Sequence, residues 1–221
     1  MKNEVIKRIL SSAILLPLVI FFIIEGSNLF LFFLLVCFFV TCYEWYIMNI
    51  KNKYHILGYL FLIFSFFSAY ALRNNFENEN ENLAIFLFII ISCVATDIGG
   101  YLFGKILKGP KLTKISPNKT YSGMIGGYFF SFTTIYLLMK NSELFFYISS
   151  KWTIEIFMFI FLISTVSQIG DIVISYFKRL ANIKDTGKII PGHGGILDRI
   201  DGIIFVFPFS YIMFELNILM I

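Results

Sequence analysis

The five aspartates of the 221-residue chain all lie in or beside two basic segments, 105–120 and 177–201. They are Asp97, Asp171, Asp185, Asp198 and Asp201. A charged side chain in an apolar segment costs about 2.5–3.5 kcal/mol to insert into a membrane, so each buried carboxylate needs a cation or a donor. Carboxylate oxygens are also the ligands that Mg²⁺ prefers, together with substrate phosphates. The alternatives are buried ion pairs and a metal–phosphate site, and the ten basic residues in the same segments favour the site.

Two of these aspartates, Asp198 and Asp201, are three residues apart at the end of the second basic segment. On a helix, this spacing puts both carboxylates on one face. Carboxylates that close repel each other, so they share a proton or bind a cation such as Mg²⁺. The alternative is that they cap the N-terminal end of the apolar segment that follows, where the helix dipole favours acids. The pair alone does not decide between the two.

A glycine-rich turn, Pro191–Gly195, precedes this pair and contains His193. Successive backbone N–H groups in such a turn form a site for anions. A turn with no ligand is the commoner case, but charged residues on both sides favour a metal–phosphate complex. His193 could hydrogen-bond a phosphate or serve only the loop. The charged residues on the N-terminal side are Lys178, Arg179, Lys184 and Asp185.

The first basic segment ends in Ser116-Pro117-Asn118-Lys119-Thr120, directly before an apolar run. A lysine and a hydroxyl group at a helix N-terminus are natural phosphate ligands. The alternative is a positively charged anchor at the membrane surface, which accounts for the lysines but not for the order of Ser, Pro, Lys and Thr. Gly100 with Gly104, and Gly123 with Gly127, have the spacing of close helix packing, which we favour over chemistry for them.

The elements that must position these residues are membrane helices. Apolar residues make up 58% of the chain and charged residues 14%, against about 45–50% and about 25% in soluble domains. A soluble, disordered or disulfide-scaffold protein is thereby excluded. A span needs about 20 mostly apolar residues. We predict an all-α polytopic membrane protein with about seven transmembrane helices, at 9–24, 29–48, 55–72, 83–104, 121–139, 153–176 and 202–220.

Charge sets the orientation, because loops on the cytoplasmic side carry the excess of lysine and arginine. With the N-terminus inside, 15 of the 18 basic residues fall on that side. We predict a single integral domain over 1–221, with N-terminal helices at about 1–82 and catalytic helices and loops at about 83–221. The two basic loops would form an active site that faces the cytoplasm from the inner membrane. Glu44-Trp45 in the second span could face this site, although packing and interfacial anchoring are the simpler interpretation.

The segment from Ser175 to Asp201 resembles the signature of the phosphatidate cytidylyltransferases, or CDP-diacylglycerol synthases, over 27 residues without a gap. It contains SYFKR, KDTG and PGHGGILDRID in that order. Upstream, Asp97–Tyr101 and Ser116–Thr120 resemble further blocks of the family, so the resemblance covers about 93–205. The first 90 residues match only in hydrophobic character. Where the family often has Trp-Glu after Lys-Thr, this chain has Tyr121-Ser122, and we assign no acidic role there.

The resemblance implies transfer of CMP from CTP to phosphatidic acid, with Mg²⁺ as cofactor and CDP-diacylglycerol and pyrophosphate as products. The expected metal ligands are Asp171, Asp198 and Asp201, with the first two as the better pair. The expected catalytic residues are Asp171, Lys178, Arg179, Lys184, Asp185, His193, Asp198, Arg199 and Asp201. The expected substrate-binding residues are Asp97, Ser116, Lys119, Thr120, Ser175, Gly194 and Gly195. Which of the two loops holds CTP and which holds the lipid phosphate stays open.

Two other functional classes compete with this one. A CTP-dependent polyprenol or dolichol kinase would use related chemistry on a lipid alcohol, but it would need a base for the hydroxyl, and the full signature disfavours it. A transporter would place polar residues near the bilayer midplane, whereas here they crowd one face. The expected partners are CTP, phosphatidic acid and membrane lipid; no nucleic acid is expected, and a homodimer stays open.

Overall fold

The structure is a computed structural model that describes residues 2–49, 54–74, 78–148, 153–192 and 194–216. Within these ranges the chain forms helices, one 3₁₀ turn and two isolated β-bridges. The helices are α1 (Lys2–Glu25), α2 (Ser27–Asn49), α3 (His55–Asn74), α4 (Glu79–Leu107), α5 (Tyr121–Asn141), α6 (Ile154–Leu180), α7 (Leu197–Ile200) and α8 (Ile203–Glu215); the 3₁₀ turn is Glu143–Tyr147.

Five of these helices, α2 to α6, are long and apolar enough to cross a membrane. The all-α, multi-pass prediction is therefore confirmed, but seven spans are not. The first and last predicted spans fall on shorter apolar stretches of the described chain, Leu10–Glu25 in α1 and Ile203–Glu215 in α8.

The first three helices are joined at one end of the bundle by an arginine. Only Gly26, at φ +64°, separates α1 from α2, so the two form a tight hairpin. Arg73, near the end of α3, is buried and donates hydrogen bonds to the carbonyl oxygens of Ile23 (3.0 Å) and Ile24 (3.2 Å). The last carbonyls of a helix have no partner within it, so Arg73 satisfies two of them and fixes α1 against α3.

Helices α4 and α5 pack closely because glycines face each other across the contact. A Cβ atom on Gly99 would lie 2.6 Å from the carbonyl oxygen of Gly126, and one on Gly123 would lie 2.6 Å from that of Gly100. Side chains at these positions would force the helices apart. The interpretation of this glycine pattern as packing is confirmed.

The polar segments gather at the opposite end of the bundle. Helix α4 ends there at Leu107 and α5 begins at Tyr121, so the 108–120 segment connects them. Helix α6 ends at Leu180, and the 181–196 segment returns the chain to α7 and α8. The last two turns of α2 reach the same end, where α2 contacts α6 and α7.

Candidate active site

The 108–120 segment folds into a small hairpin that aims Lys119 at α6. Lys111 pairs with Thr120 in a β-bridge, and the Leu112 N–H donates to the carbonyl of Lys119 at 2.8 Å. The Lys119 N–H donates to the carbonyl of Ser116 at 3.0 Å, which closes a four-residue turn around Pro117. Proline favours this turn because its φ is already fixed near the required value. The Ser-Pro order therefore shapes the loop.

Lys119 joins the first basic segment to α6. Its Nζ lies 2.5 Å from Asp171 Oδ2 on α6, and the other oxygen of Asp171 accepts a hydrogen bond from Ser175 at 3.3 Å. The side chains of Lys119 and Asp171 are 23% and 29% exposed, so this pair is open to solvent or ligand. Asp97 on α4 lies near enough for its charge to interact with both. Two predicted substrate-binding residues, Lys119 and Ser175, thus contact a predicted metal ligand, and a third, Asp97, lies nearby.

Lys178 stands between the two acids of the predicted pair. Its Nζ lies 2.9 Å from Asp198 Oδ1 and 3.8 Å from Asp201 Oδ2. The expectation that these carboxylates share one face is confirmed, and the cation between them is the ammonium group of Lys178. Burial raises the pKa of Asp201 well above its usual range, and the charge of nearby Asp171 raises it further. A second positive charge would relieve this cost.

Asp198 is surrounded by donors. Its Oδ2 accepts the N–H groups of Thr186 (2.8 Å) and Gly195 (3.0 Å), and its side chain is only 5% exposed. Burial opposes its ionisation, but the hydrogen bonds from Gly195, Lys178 and Thr186 outweigh burial and hold the pKa of Asp198 below its usual value. The predicted capping role is not observed, because neither α7 nor α8 has a side-chain cap hydrogen bond. Oδ2 of Asp198 instead holds the loop, and Oδ1 faces the ammonium group of Lys178.

The glycine-rich turn is a tight hairpin. The Ile190 N–H donates to the carbonyl of Gly194 at 2.9 Å, and Gly192 (φ +78°) and Gly194 (φ +88°) adopt the left-handed conformation that favours glycine. The N–H of Gly195, a predicted substrate-binding residue, is already donated to Asp198. His193 lies outside the described residues.

The remaining predicted residues lie at the surface of the same end. Arg179, Lys184, Asp185 and Arg199 are exposed. Arg179 donates to the carbonyl of Ile183 at 3.2 Å, which turns the chain after α6. Thr120 is the N-cap of α5, and its hydroxyl oxygen accepts the Gly123 N–H at 3.1 Å. This capping explains the hydroxyl before the apolar run without a ligand.

Glu44 was interpreted from the sequence mainly as a packing residue, but its carboxylate has specific partners. It is 1% exposed, and its carboxylate accepts hydrogen bonds from Thr186 Oγ1, the Ile196 N–H and the Leu197 N–H. The signal available in the sequence was a lone glutamate in an otherwise apolar span, which needs partners inside the protein. The partners could not be predicted from the sequence, because two are backbone N–H groups, which every residue except proline carries, and the third is one hydroxyl group among many.

The family model for the cytidylyltransferase family matches residues 49–217 of the chain. This range holds both basic segments and every aspartate described above. The chain belongs to the cytidylyltransferase family. Glu44 lies outside the matched range.

Three relatives in the cytidylyltransferase family show how far the likeness extends. The chain is 37% identical to a phosphatidate cytidylyltransferase of Staphylococcus aureus strain COL over 77% of this chain and 62% of that protein. It is 35% identical to that of Rickettsia felis over 99% of this chain and 94% of that protein, and 35% identical to that of Rickettsia conorii over 96% and 92%. The chain therefore spans less than two thirds of the staphylococcal relatives and nearly all of the rickettsial ones.

The acidic residues of the site are of the type that Mg²⁺ prefers as ligands. Among the described residues, no three His, Cys, Asp or Glu side chains form a ready metal site. Asp171 and Asp201 nevertheless offer hard oxygen atoms from two elements, and burial and mutual repulsion make the Asp201 charge costly without a cation. Mg²⁺ commonly takes one or two carboxylates and completes its shell with substrate phosphates and water.

Proposed function

We propose that the chain is a phosphatidate cytidylyltransferase, which transfers CMP from CTP to phosphatidic acid and releases pyrophosphate. One observation carries this proposal: Lys119 from the first basic segment contacts Asp171 from α6. This contact joins the 116–120 block to α6, where Asp171 also accepts a hydrogen bond from Ser175, the first residue of the 175–201 signature. Relatives of that name align with nearly all or with about three quarters of the chain.

The reaction mainly requires positive charge around the reacting phosphates. An oxygen of the phosphatidic acid phosphate attacks the α-phosphorus of CTP, the bond from that phosphorus to the bridging oxygen breaks, and pyrophosphate leaves with the electron pair. Nucleophile and electrophile are both anionic, so charge neutralisation and alignment dominate catalysis. A phosphate nucleophile needs little help from a base. We assign phosphate binding to the basic residues of the two segments: Lys119, Lys178, Arg179, Lys184 and Arg199.

We assign the Mg²⁺ to Asp171 and Asp201, with Asp97 beside them. When bound, the ion would neutralise phosphate charge and align the attacking and leaving oxygens. Asp198, the third expected ligand, would contribute through Oδ1, the oxygen that faces Lys178. Its other oxygen anchors the loop. Asp171 and Asp201 thus replace Asp171 and Asp198 as the better pair.

The proposed topology follows the charges. With α1 and α8 added to the five long helices there are seven spans, with the N-terminus inside the cell and the site at the cytoplasmic face of the inner membrane. Lipid tails then stay in the bilayer while CTP reaches the site from the cytoplasm. External labelling of a cysteine at position 114 in intact cells would contradict this orientation; a cysteine at 79 should be labelled.

The activity test uses purified, detergent-solubilised protein with CTP labelled on either the α- or the γ-phosphate. With phosphatidic acid and Mg²⁺, label from the α-position should enter the lipid and label from the γ-position should leave as pyrophosphate. Transfer of the γ-phosphate to a lipid alcohol would instead identify a kinase. Solute movement in liposomes without any transfer would identify a transporter.

A further inference from the structure

We propose that Glu44 is a positioning residue that holds the 186–197 segment, and through it the group of Lys178, Asp198 and Asp201, in the geometry needed for catalysis. The proposal rests on the proposed function for its kinetic part. Glu44 itself belongs to α2, outside the range that matches the family model, and its side chain is buried.

The carboxylate of Glu44 uses both oxygens on the segment. Oε1 accepts the Ile196 N–H at 3.0 Å, whereas Oε2 accepts the Leu197 N–H at 2.8 Å and the Thr186 hydroxyl at 3.1 Å. No lysine or arginine in the described part of the chain forms a salt bridge with it. Glu44 is therefore held by the segment, and the segment by Glu44.

Thr186 links this contact to the site. Its hydroxyl donates to Glu44 while its N–H donates to Asp198 Oδ2. The backbone donors of residues 195–197 are likewise shared between these two carboxylates. Gly195 N–H goes to Asp198, and the N–H groups of Ile196 and Leu197 go to Glu44. A shift of Glu44 must move the backbone that fixes Asp198, and with it the carboxylate that contacts Lys178.

The hydrogen bonds to both carboxylate oxygens make Glu44→Gln a specific test of this contact. Each carboxylate oxygen faces a backbone N–H, so whichever oxygen becomes the amide NH₂ puts a donor against a donor. Rotation of the amide does not remove this conflict. The variant keeps the size of the side chain, but it removes the carboxylate charge and turns one acceptor into a donor.

We expect Glu44→Gln to lower kcat/KM by about tenfold or more, the factor that one lost buried hydrogen bond represents. We also expect a higher Mg²⁺ concentration for half-maximal activity, because the neighbouring carboxylates and Lys178 shift. Amide hydrogen exchange in the peptide covering 194–200 should become faster, with exchange in α4 and α5 unchanged. The exchange measurement does not depend on which reaction the protein catalyses.

Two further variants make the test specific. Gly187→Ala would place a Cβ atom 2.7 Å from Glu44 Oε1, so it should disturb the same contact from the other side and speed exchange at 194–200. Thr41→Val is the matched control: Thr41 is buried one turn earlier in α2, and its hydroxyl donates only to carbonyls of Cys37 and Phe38 in that helix. It should change neither exchange at 194–200 nor the Mg²⁺ dependence.

The proposal is overturned if Glu44→Gln leaves exchange at 194–200 and the Mg²⁺ requirement as in the unsubstituted protein. It is also overturned if exchange rises uniformly while the Mg²⁺ requirement stays the same, since that describes a residue needed only for folding. If CMP transfer is absent from the unsubstituted protein, the proposed function fails, and local exchange still decides whether Glu44 holds the segment.

Discussion

Two carboxylates of the site, Asp198 and Asp171, lie in different surroundings. Asp198 receives two backbone N–H groups and one ammonium group and is 5% exposed. Asp171 receives one ammonium group and one long hydrogen bond from Ser175 and is 29% exposed. The hydrogen-bonding shell of Asp198 is therefore complete, whereas that of Asp171 is open. An open shell suits a residue that must accept a ligand.

The comparison predicts its largest effect for Asp198→Asn. Removing one partner of a buried, hydrogen-bonded ion pair costs about 3–5 kcal/mol, and the new amide would face N–H donors. We expect the free energy of unfolding to fall by about this amount and turnover to be lost with it. Thermal unfolding in detergent, followed alongside CMP transfer, measures both.

The control for this variant is Asp185→Asn, an exposed acid in the same segment, which should leave the unfolding midpoint unchanged. An Asp198→Asn protein with unaltered stability but no turnover would reverse the comparison. Asp198 would then be the catalytic carboxylate of the two.

Asp171→Asn should separate the two properties. Its partly exposed ion pair with Lys119 contributes only about 0–1 kcal/mol to stability, so the unfolding midpoint should change little. If Asp171 holds the proposed Mg²⁺, turnover should fall by about a hundredfold or more, because loss of a metal ligand removes several kcal/mol of charge stabilisation.

Ligand-induced stabilisation checks the same variant independently. Mg²⁺ and CTP together at about 100 times their Kd should stabilise the unsubstituted protein by about 2.7 kcal/mol. Asp171→Asn should lose most of this gain. If the gain is retained, Asp171 does not hold the metal–nucleotide complex.

The sequence was sufficient to predict the helices and the meeting of the two polar segments, because long apolar runs and clustered charges are local properties of the chain. It could not rank Asp198 against Asp171. The donors that complete the Asp198 shell are the N–H groups of Thr186 and Gly195, and every residue except proline carries such a group. For the same reason, the contact of Glu44 with the 186–197 segment could not be predicted from the sequence.

The span count shows a different limit. The segments at 9–24 and 202–220 have the composition of spans, but the apolar stretches that the structure describes there, Leu10–Glu25 within α1 and Ile203–Glu215, are shorter than the apolar helices α2 to α6. Hydropathy indicates that a segment can enter a membrane, but it does not show whether the segment crosses it.

The comparison extends to pH through Asp201, whose pKa is raised where that of Asp198 is lowered. A depressed folded-state pKa gives stability that is present above the unfolded value, about 3.9, and is lost as pH falls through the folded value. A raised folded-state pKa gives stability that is present below the unfolded pKa and is lost as pH rises through the folded-state pKa. At pH 7, Asp201→Asn should therefore unfold at the same or a higher temperature than the unsubstituted protein, without added Mg²⁺. A lower midpoint would show that Lys178 stabilises the Asp201 charge more than burial opposes it.

The smallest effect should come from Thr120→Ala, and it distinguishes a cap from a phosphate ligand. The hydroxyl oxygen of Thr120 accepts the Gly123 N–H, and losing such a cap costs about 1 kcal/mol of stability. Thr120→Ser keeps the oxygen and should restore the midpoint. Because capping already uses this hydroxyl, we expect kcat/KM of the folded Thr120→Ala enzyme to stay within about threefold, a difference under 1 kcal/mol. A hundredfold loss of kcat/KM at unchanged stability would instead return Thr120 to the substrate-binding residues, and would show that the 108–120 hairpin binds phosphate through its hydroxyl as well as through Lys119.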